Sequence, residues 1–210
     1  MDVYTDPMLS VKDAAQYLAV PERTLRNWSA SQVIHSTEPE RRGWPSLPFV
    51  AVVESFVLDR LRQMGIPTKR IKEAAQGIRT KLGDQYGLAR PGLGVHGRDI
   101  LIDIAGDYYR GADLQQAASE AVTNFQTVIT WDGQDPRRLK LKNIGADVIL
   151  DPRFGWGRPV VESNKVPVTA LAGQWLGGDS LQEIAADFGM TAEEVERVVQ
   201  GYLASREKAA

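Results

Sequence analysis

The chain has 210 residues, 25 Lys plus Arg against 27 Asp plus Glu, a formal charge of −2 and no Cys. This length suits one or two domains with a buried core, and the lack of Cys excludes disulfides, thiolate metal sites and a cysteine nucleophile. The two His, His35 and His96, are too few for most zinc sites.

A near-neutral total argues by itself against a nucleic-acid partner, but the charge is polarised along the chain. Residues 1–84 hold 12 basic and 10 acidic side chains, 85–147 hold 7 and 8, and 148–210 hold 6 and 9, giving +2, −1 and −3. The longest run without a charge, Val166 to Gly178, contains Pro167 and three Gly. It is shorter than the roughly 20 apolar residues that span a bilayer, so no membrane helix is expected. Asp2 and Asp6 occupy the first six positions without an apolar stretch, so no secretory leader is expected either, and the expected location is the cytoplasm.

In chain order, Ser10 with Asp13 makes a capping-box-like start to a short helix carrying Val11, Ala14, Ala15 and Leu18. Pro21 suits the first turn of a second helix running to about Ala30, with Leu25 and Trp28 on one face. Val33 to Pro48, with three Pro and the cluster Glu38, Glu40, Arg41, Arg42, suits a loop or small wing. Helices are expected over Phe49 to Met64 and Thr68 to about Leu82, separated by Gly65 and Pro67. Strands are expected at Asp99–Ile104, Phe125–Trp131, Leu139–Lys142 and Val148–Leu150, with Leu114–Val122 open between helix and strand. A loop from Asp151 to Pro159 precedes helices from about Val168 onward. The expected fold class is α+β, mainly helical: an N-terminal winged helix-turn-helix (1–84), a small central β region (85–147) and a C-terminal helix-turn-helix-like helical domain (148–210).

A helix-turn-helix places a small residue at the helix crossing and apolar residues at fixed offsets. Ala15 fits the crossing, and Val11, Ala14, Leu18, Val20, Leu25 and Trp28 fit the interior, with Ala19 at a turn position where Gly is commoner. Glu22, Arg23, Thr24, Arg26, Asn27 and Ala30 are left facing out of the second helix. Arg23, Thr24, Arg26 and Asn27 are types that read base edges: Arg is bidentate to guanine and Asn to adenine. Arg41, Arg42 and Trp44 in the wing are candidates for backbone or minor-groove contact.

The template fits again 170 residues later: Leu181, Ile184, Phe188, Met190, Val195 and Val198 inside, Ala185 at the crossing and Gly189 at the turn. Ser180 with Glu183, and Thr191 with Glu194, each form a capping box. The second helix here exposes Glu193, Glu194 and Glu196, which a phosphate backbone would repel. This copy is therefore assigned to protein contact or dimerisation.

Lys69, Lys72 and Arg79, flanked by Arg70 and Lys81, form a basic stripe suited to phosphates or to a solvated outer face. Gly92-Leu93-Gly94-Val95-His96-Gly97 fits G-x-G-x-x-G, but Ala89-Arg90-Pro91 precedes it and a strand-like segment follows, so the dinucleotide context fails. Asp99, Asp103 and Asp107 on one face of an extended segment mimic a metal-ion cluster, and equally a half-buried strand. No enzyme, no cofactor and no metal is expected.

The stretch from Leu9 to Trp28, LSVKDAAQYLAVPERTLRNW, resembles the MerR-like, excisionase-type winged helix-turn-helix. Asp151-Pro152, Gly157-Arg158-Pro159-Val160-Val161, Val166-Pro167-Val168, Leu176 with Gly178, Ser180, Glu183-Ile184-Ala185 and Met190 to Val195 are similar to a small bacterial domain of unknown function, number 433. That domain is frequent in antitoxins beside PIN-like toxins, and its usual Gly-Thr-Arg is here Ser163-Asn164-Lys165. The combination is similar to VapB-type antitoxins of toxin–antitoxin systems. The resemblance implies a homodimeric repressor that binds operator double-stranded DNA and neutralises a PIN-like ribonuclease toxin while autorepressing its operon. Trp156, Arg158, Glu193 and Glu196 are the candidate partner-binding residues, an acidic region suiting a basic RNA-binding surface. The alternative is a stand-alone MerR-like regulator sensing a small effector in the β region or in a pocket around Trp156.

Overall fold

The computed structural model describes residues 4–41, 43–83, 85–117, 123–124, 126–145 and 147–209. Seven helices are described: α1 (Val11–Leu18), α2 (Glu22–Ala30), α3 (Phe49–Gln63), α4 (Thr68–Leu82), α5 (Val168–Gly177), α6 (Leu181–Phe188) and α7 (Ala192–Ala209). Eight short strands accompany them: β1 (Leu93–His96), β2 (Asp99–Ile104), β3 (Asp107–Arg110), β4 (Thr123–Asn124), β5 (Ile129–Asp132), β6 (Asp135–Lys140), β7 (Val148–Leu150) and β8 (Val160–Val161). They form two small antiparallel sheets, so the class is α+β and mainly helical.

The chain divides into two compact units, one of Met1–Arg26, Thr37–Phe49 and Arg138–Ala210, the other of Asn27–Ser36 and Val50–Arg137. In the first, α1 packs on α7, and α5 and α6 pack on α7 and on each other. The Asn143 side chain donates to the Tyr17 carbonyl at 2.9 Å, satisfying an acceptor in the last turn of α1. In α7, a Cβ at Gly201 would collide with the Ile144 carbonyl, so glycine is what lets the helix lie on the 141–145 turn. The last residues of β6 pair with β7, and β7 with β8, with Val148, Ile149, Leu150, Val160 and Val161 all buried.

In the second unit β1 pairs with both β2 and β4, and β2 with β3, while α4 packs on β2. The Gly92–Gly97 stretch is strand β1 leading by a turn into β2, the opposite of a phosphate-cradling strand-to-helix turn. Asp99, Asp103 and Asp107 do not share one extended segment. The chain reverses at Ala105-Gly106, where Asp103 Oδ1 accepts from the Gly106 N–H at 2.8 Å, and Asp107 belongs to the next strand. Asp99 faces Arg70 at 3.6 Å. In Leu114–Val122, Gln116 bridges to Tyr109, while 118–122 lie outside the described residues.

Arg79 belongs neither to a phosphate-binding stripe nor to a solvated face. It donates to the Gln32 carbonyl at 2.8 Å, the Val33 carbonyl at 2.9 Å and the fully buried Glu54 carboxylate at 2.8 Å. Glu54 also accepts from the His35 N–H at 2.6 Å. Burial pushes the Glu54 carboxyl above its ordinary range against the pull of Arg79. This buried pair fastens the segment after α2 to α3 and α4.

Candidate nucleic-acid interface and a second helix-turn-helix

Both helix-turn-helix units form, and with the same local chemistry. Ser10 Oγ accepts from the Asp13 N–H at 3.1 Å, as Ser180 Oγ does from the Glu183 N–H at 3.3 Å. The Val20 N–H bonds the Ala15 carbonyl at 3.0 Å, and the Met190 N–H bonds the Ala185 carbonyl at 2.9 Å. Ala19 and Gly189 close the turns in the left-handed region, at φ 53° and 63°. Ala14, Ala15, Val20, Leu25 and Trp28 are buried, as are Ile184, Ala185, Val195 and Val198.

In the first unit, Arg23, Arg26, Asn27 and Ala30 are exposed at i, i+3, i+4 and i+7 of α2 and therefore share one face. Thr24 lies on the flank of that face, half-buried. Arg23 and Asn27 have no side-chain partner among the described residues, whereas Arg26 Nε donates to Glu22 at 2.9 Å one turn earlier. Behind this face, Trp28 is buried with the Arg62 guanidinium 5.8 Å above its ring.

The wing is a loop clamped at its base: Leu9 bridges Leu47, and the Thr37 N–H bonds the Ser46 carbonyl at 2.9 Å. Arg41 stacks 5.2 Å over Trp44, itself 47% exposed. Arg42 lies outside the described residues. Of the basic stripe on α4, Lys81 bonds the Asp113 carbonyl at 2.6 Å and Lys69 lies 4.0 Å from Glu73.

In the second unit Glu193 and Glu196 are exposed on α7, and Glu194 closes its capping box on Thr191 at 2.8 and 2.9 Å. That pair of hydrogen bonds holds the Glu194 carboxyl below its usual range. Beside it is a groove of about 360 Å³ lined by Asp147, Glu162, Glu194, Met190 and Arg197.

Trp156 and Arg158 sit on the loop between β7 and β8. Trp156 is 94% exposed and adopts φ 54°, a conformation a bulky residue rarely takes. At that exposure its side chain stands out from the surface. The loop is braced from beneath: fully buried Asp151 accepts from Arg153 at 2.9 and 2.7 Å, and Arg138 lies 3.7 Å away. Arg138 in turn bonds Glu162, which also pairs with Lys140 at 3.0 Å. Burial pushes the Asp151 carboxyl up, but the Arg153 hydrogen bonds outweigh it and hold the group below its ordinary range. The Lys140 hydrogen bond lowers Glu162 likewise. Lys165 sets its ammonium 5.3 Å over Phe154 on the face of this same loop. Among the described residues, no hydrogen bond or ion pair joins Trp156 and Arg158 to Glu193 and Glu196.

Residues 7–75 match the family described as "Putative DNA-binding HTH domain", and residues 148–200 match the protein family of unknown function DUF433. Over 90% of its length, and 91% of the relative's, the chain is 28% identical to a Mycobacterium tuberculosis protein named "Putative antitoxin VapB45". Its fold is that of the crystal structure of Rv2018 from Mycobacterium tuberculosis, with a TM-score of 0.72, covering 93% of this chain and 99% of that one at 23% identity. The first match spans α1, α2, the wing, α3 and the first half of α4, and the second spans the braced loop and the acidic second unit. What sequence reasoning did not find is the bracing itself, since Asp151, Arg138 and Glu162 are joined only by tertiary pairing.

Proposed function

We propose that the chain is a cytoplasmic DNA-binding antitoxin that represses its own operon and neutralises a PIN-like ribonuclease toxin. The observation that carries this reading is the pair of helix-turn-helix units with one geometry and opposite exposed charge. The α2 face, with Arg23, Arg26 and Asn27 and with Thr24 at its flank, enters the major groove of operator DNA, and Arg41 and Trp44 make the wing contact. A homodimer places two such faces on half-sites about 34 Å apart. The net +2 of residues 1–84 is small, so a monomer would hold DNA only weakly and pairing supplies the affinity. The acidic unit holds the toxin, whose RNA-binding surface is basic, through Glu193 and Glu196, with Trp156 and Arg158 as a separate contact. The likeness over nearly the whole chain to a protein named as an antitoxin supports this division.

The test is induced expression of the protein encoded beside this chain's gene, with and without the chain. Growth arrest relieved by co-expression, with the two proteins co-purifying, is the expected result. Arrest unrelieved by abundant, folded chain would overturn the reading.

A further inference from the structure

Helix α5, VTALAGQWLG, contains no charged residue. A helix apolar on every side belongs inside a core. Val168, Leu171 and Ala172 satisfy that rule against α6 and α7, but the C-terminal half does not. Gly173, Trp175, Leu176 and Gly177 are exposed, Trp175 by 40% and Leu176 by 63%. A second oddity is Gly173, in the helix interior with nothing within 4 Å of where a Cβ would stand. Glycine there costs about 1 kcal/mol relative to alanine, and no packing within the chain calls for it. An exposed aromatic and leucine beside a helical glycine form a surface that a second molecule can approach closely.

The surroundings select the kind of molecule. Gln174 of α5 bonds Asp187 of α6 at 3.3 Å, and Asp179 and Glu183 follow at the start of α6. Between Val166 and Gln200 there are six carboxylates against Arg197 alone. A second copy of this chain docking face to face would set Asp179, Glu183 and Asp187 against their own copies, a costly arrangement in a two-fold interface. A protein offering an apolar recess ringed by Lys and Arg fits both the centre and the rim.

We propose that the C-terminal half of α5 is the docking surface for a basic protein partner, with Leu176 and Trp175 as its anchors and Gly173 as the point of closest approach. This rests on the reading that the C-terminal segment holds a protein toxin, and adds an apolar anchor on α5 to the contacts of Glu193, Glu196, Trp156 and Arg158. The test uses the full-length chain and the purified protein encoded by the adjoining reading frame, with affinity measured by calorimetry for wild type, Leu176→Ser, Trp175→Ala and Gly173→Leu.

Each substitution should raise Kd at least tenfold, and wild-type affinity should fall as salt rises from about 0.05 to 0.5 M. Gly173→Leu adds helix propensity at an open position, so its melting temperature should hold or rise while binding is lost, separating contact from folding. Wild-type binding that all three variants retain would overturn the assignment to α5 and leave the toxin reading standing. A wild-type chain that does not bind the protein at all would overturn the toxin reading and the docking surface with it. If Leu176→Ser instead converts a dimer to monomer in sedimentation velocity with toxin affinity unchanged, the surface joins two copies and the proposal fails.

Discussion

Ala19 and Gly189 are equivalent positions occupied by different residues, which gives a paired prediction with opposite signs. Both sit at the C-cap of the first helix of a helix-turn-helix, at φ 53°, ψ 39° and φ 63°, ψ 39°. An alanine in this conformation brings its Cβ against the following carbonyl at a cost of about 1–2 kcal/mol. Glycine offsets part of that advantage through the extra freedom of the unfolded chain, about 0.4–1 kcal/mol. The difference favours glycine by about 0.5–1 kcal/mol. A Cβ at Gly189 would meet no heavy atom within 4 Å, so no steric clash adds to the backbone term. Ala19→Gly should therefore raise the unfolding free energy by about 0.5–1 kcal/mol, and Gly189→Ala should lower it by a similar amount. Urea denaturation with an unchanged m-value is the assay. A neutral Gly189→Ala, or two changes of the same sign, would refute the claim that the turns share one strained backbone conformation.

Arg79→Met should cost about 3–5 kcal/mol, because it strands a fully buried Glu54 carboxylate and uncaps the Gln32 and Val33 carbonyls, as urea unfolding would measure. Asp151 and Glu162 both have folded pKa values below their unfolded ones. Their stabilisation is therefore complete above about pH 5 and declines as pH falls through about 4 and below. Melting curves across that range should show the decline for wild type and a smaller one for Asp151→Asn, which should already be less stable at neutral pH. Glu22→Gln releases Arg26 from its intrahelical partner and removes one negative charge from α2, so DNA affinity should rise, measured at fixed salt.

The helices were legible because their ends are written in side chains: Ser10, Ser180 and Thr191 cap by hydrogen bonds that residue type and spacing alone announce. The Asp99–Ile104 strand and the Val148–Leu150 strand were legible from alternation and from a short apolar run. Strand β1 was not, since Gly92, Gly94 and Gly97 suggest loop, and only its pairing with β2 makes Leu93–His96 extended. Two-residue strands such as Val160–Val161 carry no periodicity at all. On α2, exposure of Arg23, Arg26 and Asn27 follows from the positions of Leu25 and Trp28, so that face could be read directly. Arg79 could not: its spacing on α4 matches a solvated stripe, and its buried acid lies 25 residues away on α3. Nor could α5, since an uncharged helix in sequence is the same whether its faces end in a core or at the surface.

The most direct test of which end meets DNA is an anisotropy titration of the DNA upstream of the chain's own gene with wild type, Arg26→Ala and Glu196→Ala at one salt concentration. The account predicts that Arg26→Ala loses about 1–3 kcal/mol of binding while Glu196→Ala binds as wild type. Unchanged binding by Arg26→Ala, or loss confined to Glu196→Ala, would contradict it.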